Sequence, residues 1–313
     1  MTSLKPPHGN PKRILAATDF SRASEAALLA GHAVAKRYGA RLAVSHIAPG
    51  AGAIHPAFPS MAARELVALS DVESRATAAV VSYTKAILGL GEGAVDVLIS
   101  TTSGSNEAAA IIEQAKDYSA DLVVVGSHGR TGLTRALLGT VAERVVRNAR
   151  CDVLVARAEK EGKPGPVVAA VDFSDASQLV LQAAAREAFA RDVQLVAVFA
   201  LDAPDDPLPY GMLGPFGIFM NAPDPEGHKA LRETAERTLA AALAAADVQA
   251  SLVVVDGRAR QEIVNVAETN GASLVVLATH GRSGLARLAL GSVAESVVRH
   301  ASCSVMVVRG GEA

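Results

Sequence analysis

The chain contains itself twice. Ser127-His128-Gly129-Arg130-Thr131-Gly132-Leu133 returns 152 residues later as Thr279-His280-Gly281-Arg282-Ser283-Gly284-Leu285. At the same offset Gly139-Thr140-Val141-Ala142-Glu143 returns as Gly291-Ser292-Val293-Ala294-Glu295, and Cys151 as Cys303. Between 126–157 and 278–309, 19 of 32 positions are identical. The starts match too, Ala17-Thr18-Asp19-Phe20-Ser21 against Ala170-Val171-Asp172-Phe173-Ser174. A repeat of about 150 residues is a domain rather than a solenoid unit. The expected division is a first domain over 1–158, a linker over 159–166 and a second domain over 167–313. In the linker charge, Gly162, Gly165, Pro164 and Pro166 replace periodic sequence.

Each copy alternates short apolar runs with helical stretches. Runs are expected as strands at Ile14–Thr18, Leu42–Ile47, Val95–Ile99, Leu122–Val125 and Val153–Ala156. In the second copy they fall at Val167–Val171, Leu195–Ala200, Leu252–Val255, Leu274–Leu277 and Val305–Val308. Helices are expected over Arg22–Tyr38, closed by Gly39, then Asp71–Leu88, Glu107–Tyr118 and Val141–Asn148. The strands are unbroken apolar runs, the pattern of a parallel sheet covered on both faces. The fold class is therefore α/β, two tandem doubly wound domains. Ligands of such domains sit beyond the carboxyl ends of the strands. Ala203–Gly227 holds six of the fourteen prolines and four glycines, and is expected as an irregular excursion, a lid or a chain–chain contact.

Several functions are excluded early. Thirty Lys and Arg against thirty-two Asp and Glu, with eleven aromatics and no Trp, argue against a nucleic-acid partner. No run approaches the roughly 20 apolar residues of a membrane span. Met1–Arg13 holds three prolines and no apolar stretch, unlike a signal peptide. Two cysteines make neither a disulfide framework nor a zinc site, and the expected compartment is the cytoplasm. No metal-ligand cluster and no catalytic residue stand out. His128 and His280 lack a Ser or Cys partner and read as structural imidazoles. Cys151 and Cys303 read as packing residues.

Gly126-x2-Gly129-x9-Gly139-Thr140 follows the fourth strand. Glycines admit a sharp turn and a close ligand, and the helix opening at Thr140 and Val141 offers free N–H groups to an anion. Neither a P-loop nor a dinucleotide fingerprint is present. Thr140-x-x-Glu143 and Ser292-x-x-Glu295 also fit capping boxes. Asp19 and Asp172 read equally as turn caps or ligand contacts. Arg130, Arg135, Arg282 and Arg287 read as phosphate partners or solvated loop charges.

Together these residues resemble the universal stress protein family in its tandem form, over Arg13 to Arg309. The resemblance implies a five-stranded parallel sheet per domain, order 3-2-1-4-5. It implies binding of ATP, or ADP or AMP, with any Mg²⁺ carried by the nucleotide. Carried over by position, the first copy's contacts are Ala17, Thr18, Asp19, Ile47, the loop Gly126, Ser127, His128, Gly129, Arg130, Thr131, Gly132, and Gly139, Thr140, Val141. The second copy offers Ala170, Val171, Asp172, Ala200, Gly281, Arg282, Ser283, Gly284, Gly291, Ser292 and Val293. Ala278 replaces the first loop glycine there, and weaker binding by the second copy is expected if that position needs a positive φ. The resemblance also implies an intrachain pseudo-dimer through the last strands, a homodimer as a further pairing, and an unidentified protein partner. The alternatives are a nucleotide-free, chaperone-like interaction protein and a slow nucleotide hydrolase.

Overall fold

A computed structural model describes residues 9–49, 62–91, 93–102, 106–127, 138–158, 162–201, 225–279 and 290–309, with backbone alone for 62–70 and 225. The first half runs β1 (Arg13–Thr18), α1 (Arg22–Tyr38), β2 (Arg41–Pro49), α2 (Ala62–Leu88), β3 (Asp96–Thr102), α3 (Glu107–Asp117), β4 (Leu122–Gly126), α4 (Thr140–Asn148) and β5 (Asp152–Ala156). The second runs β6 (Val167–Ala170), α5 (Ser177–Arg191), β7 (Leu195–Leu201), α6 (Pro225–Ala245), β8 (Ser251–Asp256), α7 (Ala259–Thr269), β9 (Leu274–Ala278), α8 (Ser292–His300) and β10 (Ser304–Val308). Gly39 closes α1 with φ 65° in the left-handed region, which only glycine enters without strain.

Within each half the strands are parallel and ordered 3-2-1-4-5. The halves join where β5 pairs antiparallel with β10, Leu154 opposite Met306 and Val153 opposite Val307, to give one ten-stranded sheet. Central strands are buried on both faces, which is why their sequences run apolar without alternation. Helices α1, α2, α5 and α6 cover one face and α3, α4, α7 and α8 the other. Each face carries one apolar cluster that continues across the joint.

Side chains cross the joint in matched pairs. Arg157 donates to the carbonyls of Cys303 and Val298 at 3.0 and 2.6 Å. Its counterpart Arg309 donates to the carbonyls of Val146 and Arg147. Each arginine thus satisfies the open carbonyls at the C-terminus of the other half's helix, where the dipole favours a cation. Glu143, Arg147, Glu295 and Arg299 close a four-membered ion-pair ring between α4 and α8. The contact of Glu187 has no counterpart among the described residues. Glu187, fully buried on α5, accepts from Arg37 at 3.2 Å and Tyr38 at 2.9 Å of α1, and from Arg191 at 3.4 Å. The matching position in α1 is Val34.

Two expectations are corrected. The irregular excursion was placed over Ala203–Gly227, but Pro225–Gly227 already belong to α6. Pro225 opens the helix, where its missing N–H costs no hydrogen bond. Residues 203–224 lie outside the described residues. α2 also begins at Ala62, well before Asp71.

Candidate nucleotide site at the strand ends

A parallel strand ends by releasing its last residue towards the sheet's carboxyl edge, and β1 and β6 each release an aspartate. Asp19 Oδ1 accepts from the amide and hydroxyl of Ser21 at 3.0 and 2.5 Å. Asp172 Oδ1 accepts from the amide and hydroxyl of Ser174 at 3.0 and 2.6 Å, and from Ser177 Oγ at 3.1 Å. Each carboxylate is therefore held by a turn of its own making. The next residue, Phe20 or Phe173, adopts a positive φ of 64° or 60°. That is strained backbone for an aromatic residue, sustained only where surroundings over-determine it. The surroundings are ring contacts. Phe173 stacks on Phe199 with centroids 4.2 Å apart, and Phe20 packs on His46 at 4.5 Å.

In the second half these residues bound a cavity of about 640 Å³, within the range of small-molecule sites. Ala170, Val171 and Asp172 form its floor at the end of β6, and Ala200 and Leu201 the end of β7. Leu231, Thr234 and Thr238 of α6 face it from one side, and Ala259 and Ile263 of α7 from another. Ala278, Thr279, Gly291, Ser292 and Val293 complete it. Asp172 is its one charged side chain among the described residues.

The far wall is the N-terminus of α8. Gly291 is its N-cap with φ −62° and ψ 146°, and as a glycine it supplies no side-chain cap. α4 begins in the same way at Gly139, φ −65° and ψ 143°. The capping-box reading of Thr140 and Ser292 therefore fails. The helices start at these residues, which places them at the first helical position and not at the cap. Glu143 and Glu295 pair with Arg147 and Arg299 instead of reaching back. Carbonyls of Ser127 and Thr279 hold the amides of Gly139 and Gly291, both at 2.8 Å. The first turn of α8 beyond Gly291 lines the cavity with Ser292, Val293 and Ala294. Such a terminus is an anion site in electrostatic terms.

The structure thus gathers Ala170, Val171, Asp172, Ala200, Gly291, Ser292 and Val293 around one cavity. Ala17, Thr18, Asp19, Ile47, Gly126, Ser127, Gly139, Thr140 and Val141 hold corresponding places at the ends of β1, β2 and β4 and the start of α4. His128 to Gly132, Arg135, His280, Gly281 to Gly284 and Arg287 lie outside the described residues.

Gly126 corrects the reason offered for Ala278. It is not among the glycines with positive φ. A Cβ there would overlap the carbonyl of Ala23 in the first turn of α1. In the second half Ala176 stands in the place of Ala23 as the cap of α5, not within the helix, and Ala278 is not among the residues with positive φ. The glycine serves helix–strand packing, and the alanine carries no conformational penalty against a ligand.

Among the described residues no group of three metal-ligating side chains occurs, and no helix is long and apolar enough to cross a membrane. Sequence reasoning missed His46, Phe199 and Tyr83. His46 Nδ1 lies 2.8 Å from the Thr18 carbonyl, which assigns the proton to Nδ1. They are scattered in sequence: His46 and Tyr83 come together on Phe20 in the first half, and Phe199 packs on Phe173 in the second.

The description "Universal stress protein family" matches residues 10–157 and again 165–309. A universal stress protein of Mycobacterium tuberculosis H37Rv is 36% identical over 200 residues, 61% of this chain. That match covers 62% of the relative's own length. Another, from Mycolicibacterium smegmatis, is 30% identical over 301 residues, 95% of this chain and 96% of that one. A universal stress protein from Archaeoglobus fulgidus of known structure shares the fold, with TM-score 0.63 and 17% identity, over 96% of this chain and 98% of that one.

Proposed function

Because this chain belongs to the universal stress protein family and carries its domain twice, we propose that it is a cytoplasmic stress-response protein that binds an adenine nucleotide at the carboxyl ends of its strands. The observation that carries this reading is the glycine-capped N-terminus of α8 lining a cavity of nucleotide size. The cavity is apolar at the Phe173–Phe199 stack, suited to a base, and polar at the helix start, suited to phosphate. Asp172 Oδ2 remains to accept a hydrogen bond from a base or ribose once Oδ1 is engaged by the two serines. In the first half Ala17, Thr18, Asp19, Ile47, Gly126, Ser127, Gly139, Thr140 and Val141 are proposed in the same roles, and the glycine loops at 128–132 and 281–284 as phosphate covers. ATP is the proposed ligand, with ADP and AMP as alternatives and any Mg²⁺ brought by the phosphates.

The proposed role is that of a nucleotide-dependent regulator, with slow nucleotide hydrolysis as an alternative. We place the division of the chain at 159–166. We propose that the β5–β10 joint makes the two halves a permanent pseudo-dimer, tethered at high effective concentration. The test is mass spectrometry of small molecules released from the purified protein, followed by calorimetric titration with ATP. Released adenine nucleotide and saturable binding are expected. No nucleotide and no heat would favour the nucleotide-free, chaperone-like alternative.

A further inference from the structure

The two halves differ at one wall of the site. Counted back from the first residue of β3 and β8 that pairs in the sheet, Asp96 and Ser251, Tyr83 and Thr238 are both thirteen residues upstream (96 − 83 = 251 − 238). The same count matches Val80 with Ala235, both buried, and Leu88 with Leu243. Thr238 lines the second-half cavity beside Phe173. Tyr83 instead fills the equivalent place with its own ring. The ring meets Phe20 edge-on at 5.2 Å, and its hydroxyl donates to the Ser21 carbonyl at 3.4 Å. Burial raises the phenol above its ordinary value, and the nearby charges of Glu25 and Asp19 add to this. The bond to the Ser21 carbonyl places the hydroxyl over the turn that holds Asp19. Ile47 further narrows the first half where the second has Ala200.

We propose that a purine nucleotide binds the second half alone, the base lying between Phe173 and Thr238, and that Tyr83 occupies the place of the base in the first half. This rests on the nucleotide reading of the site and reverses the ranking expected from Ala278. The first half keeps a glycine-capped N-terminus at α4, so its anion end matches the second half's while its base end is closed. Thr238 and Tyr83 are thus specificity-determining positions.

The experiment is equilibrium dialysis of the intact chain against ATP, read as moles bound per chain. Photolabelling with an azido-purine ATP analogue then locates the label. One nucleotide per chain, labelling second-half peptides, is expected. Thr238→Tyr should weaken binding at least tenfold, and Tyr83→Ala should raise the stoichiometry towards two. Circular dichroism checks the fold of each variant. If Tyr83→Ala does not fold, the label position in the native protein decides. Two equivalent sites, or label on first-half peptides, overturns this inference and leaves the nucleotide reading standing. No binding by the native protein overturns both.

Discussion

At the scale of single residues, the copies show where one side chain matters and its twin does not. Gly126 is required because the first turn of α1 presses on it. Gly126→Ala should cost about 1–3 kcal/mol from overpacking against backbone. Ala278→Gly should cost less than about 1 kcal/mol, from strand entropy alone. Urea unfolding of the two variants checks the difference. Cys151 provides a pH test. Burial pushes its thiol from 9.0 up to about 11, with Asp152 adding to the shift. A raised folded pKa gives stability that is fully present below pH 9 and lost as the pH rises to about 11. The chain should therefore lose stability over that interval, and Cys151→Ala should lose less. The thiol should react slowly with iodoacetamide at pH 8, because thiolate is the nucleophile. Thermal scans and alkylation rates from pH 8 to 11 read both effects.

At the scale of elements, the strands were legible because burial on both faces demands continuous apolar sequence. All ten were expected within two or three residues of their ends, and α1 was expected in full. The start of α2 was not, since the stretch before Asp71 has no clean apolar period. The capping boxes misled because each helix begins at the hydroxyl residue, which moves the glutamate one place too far to reach the cap. The floor of the site was legible, for it sits at strand ends. Its side wall was not, because Tyr83 and Thr238 differ in type and only the packing of α2 and α6 shows that they face the same place. The crossing arginines were visible merely as a repeated residue after the last strand. Arg157→Met and Arg309→Met keep an apolar stem but strip each helix end of its charged donor. Each should cost about 2 kcal/mol, measured by calorimetry, and the double variant should exceed either single one.

At the scale of the whole molecule, the joint leaves a single sheet whose ten strands span about 43 Å at the usual strand spacing. Small-angle scattering should fit one compact body with a radius of gyration of about 20 Å. Two separated bodies would contradict the continuous sheet. Glu187→Val writes the first half's residue into the second and leaves Arg37 and Arg191 without their carboxylate. It should cost roughly 3 kcal/mol, as breaking a buried ion pair does, with the loss read as a lower Tm. Glu187 meets Arg37 and Tyr38 across the joint while its twin position is Val34. A pair of identical chains cannot be written this way, since every substitution in one gene appears on both sides of the axis at once. Joining the copies in one reading frame lets inheritance act on each side separately. A change that would be harmful in duplicate needs to be tolerated only once.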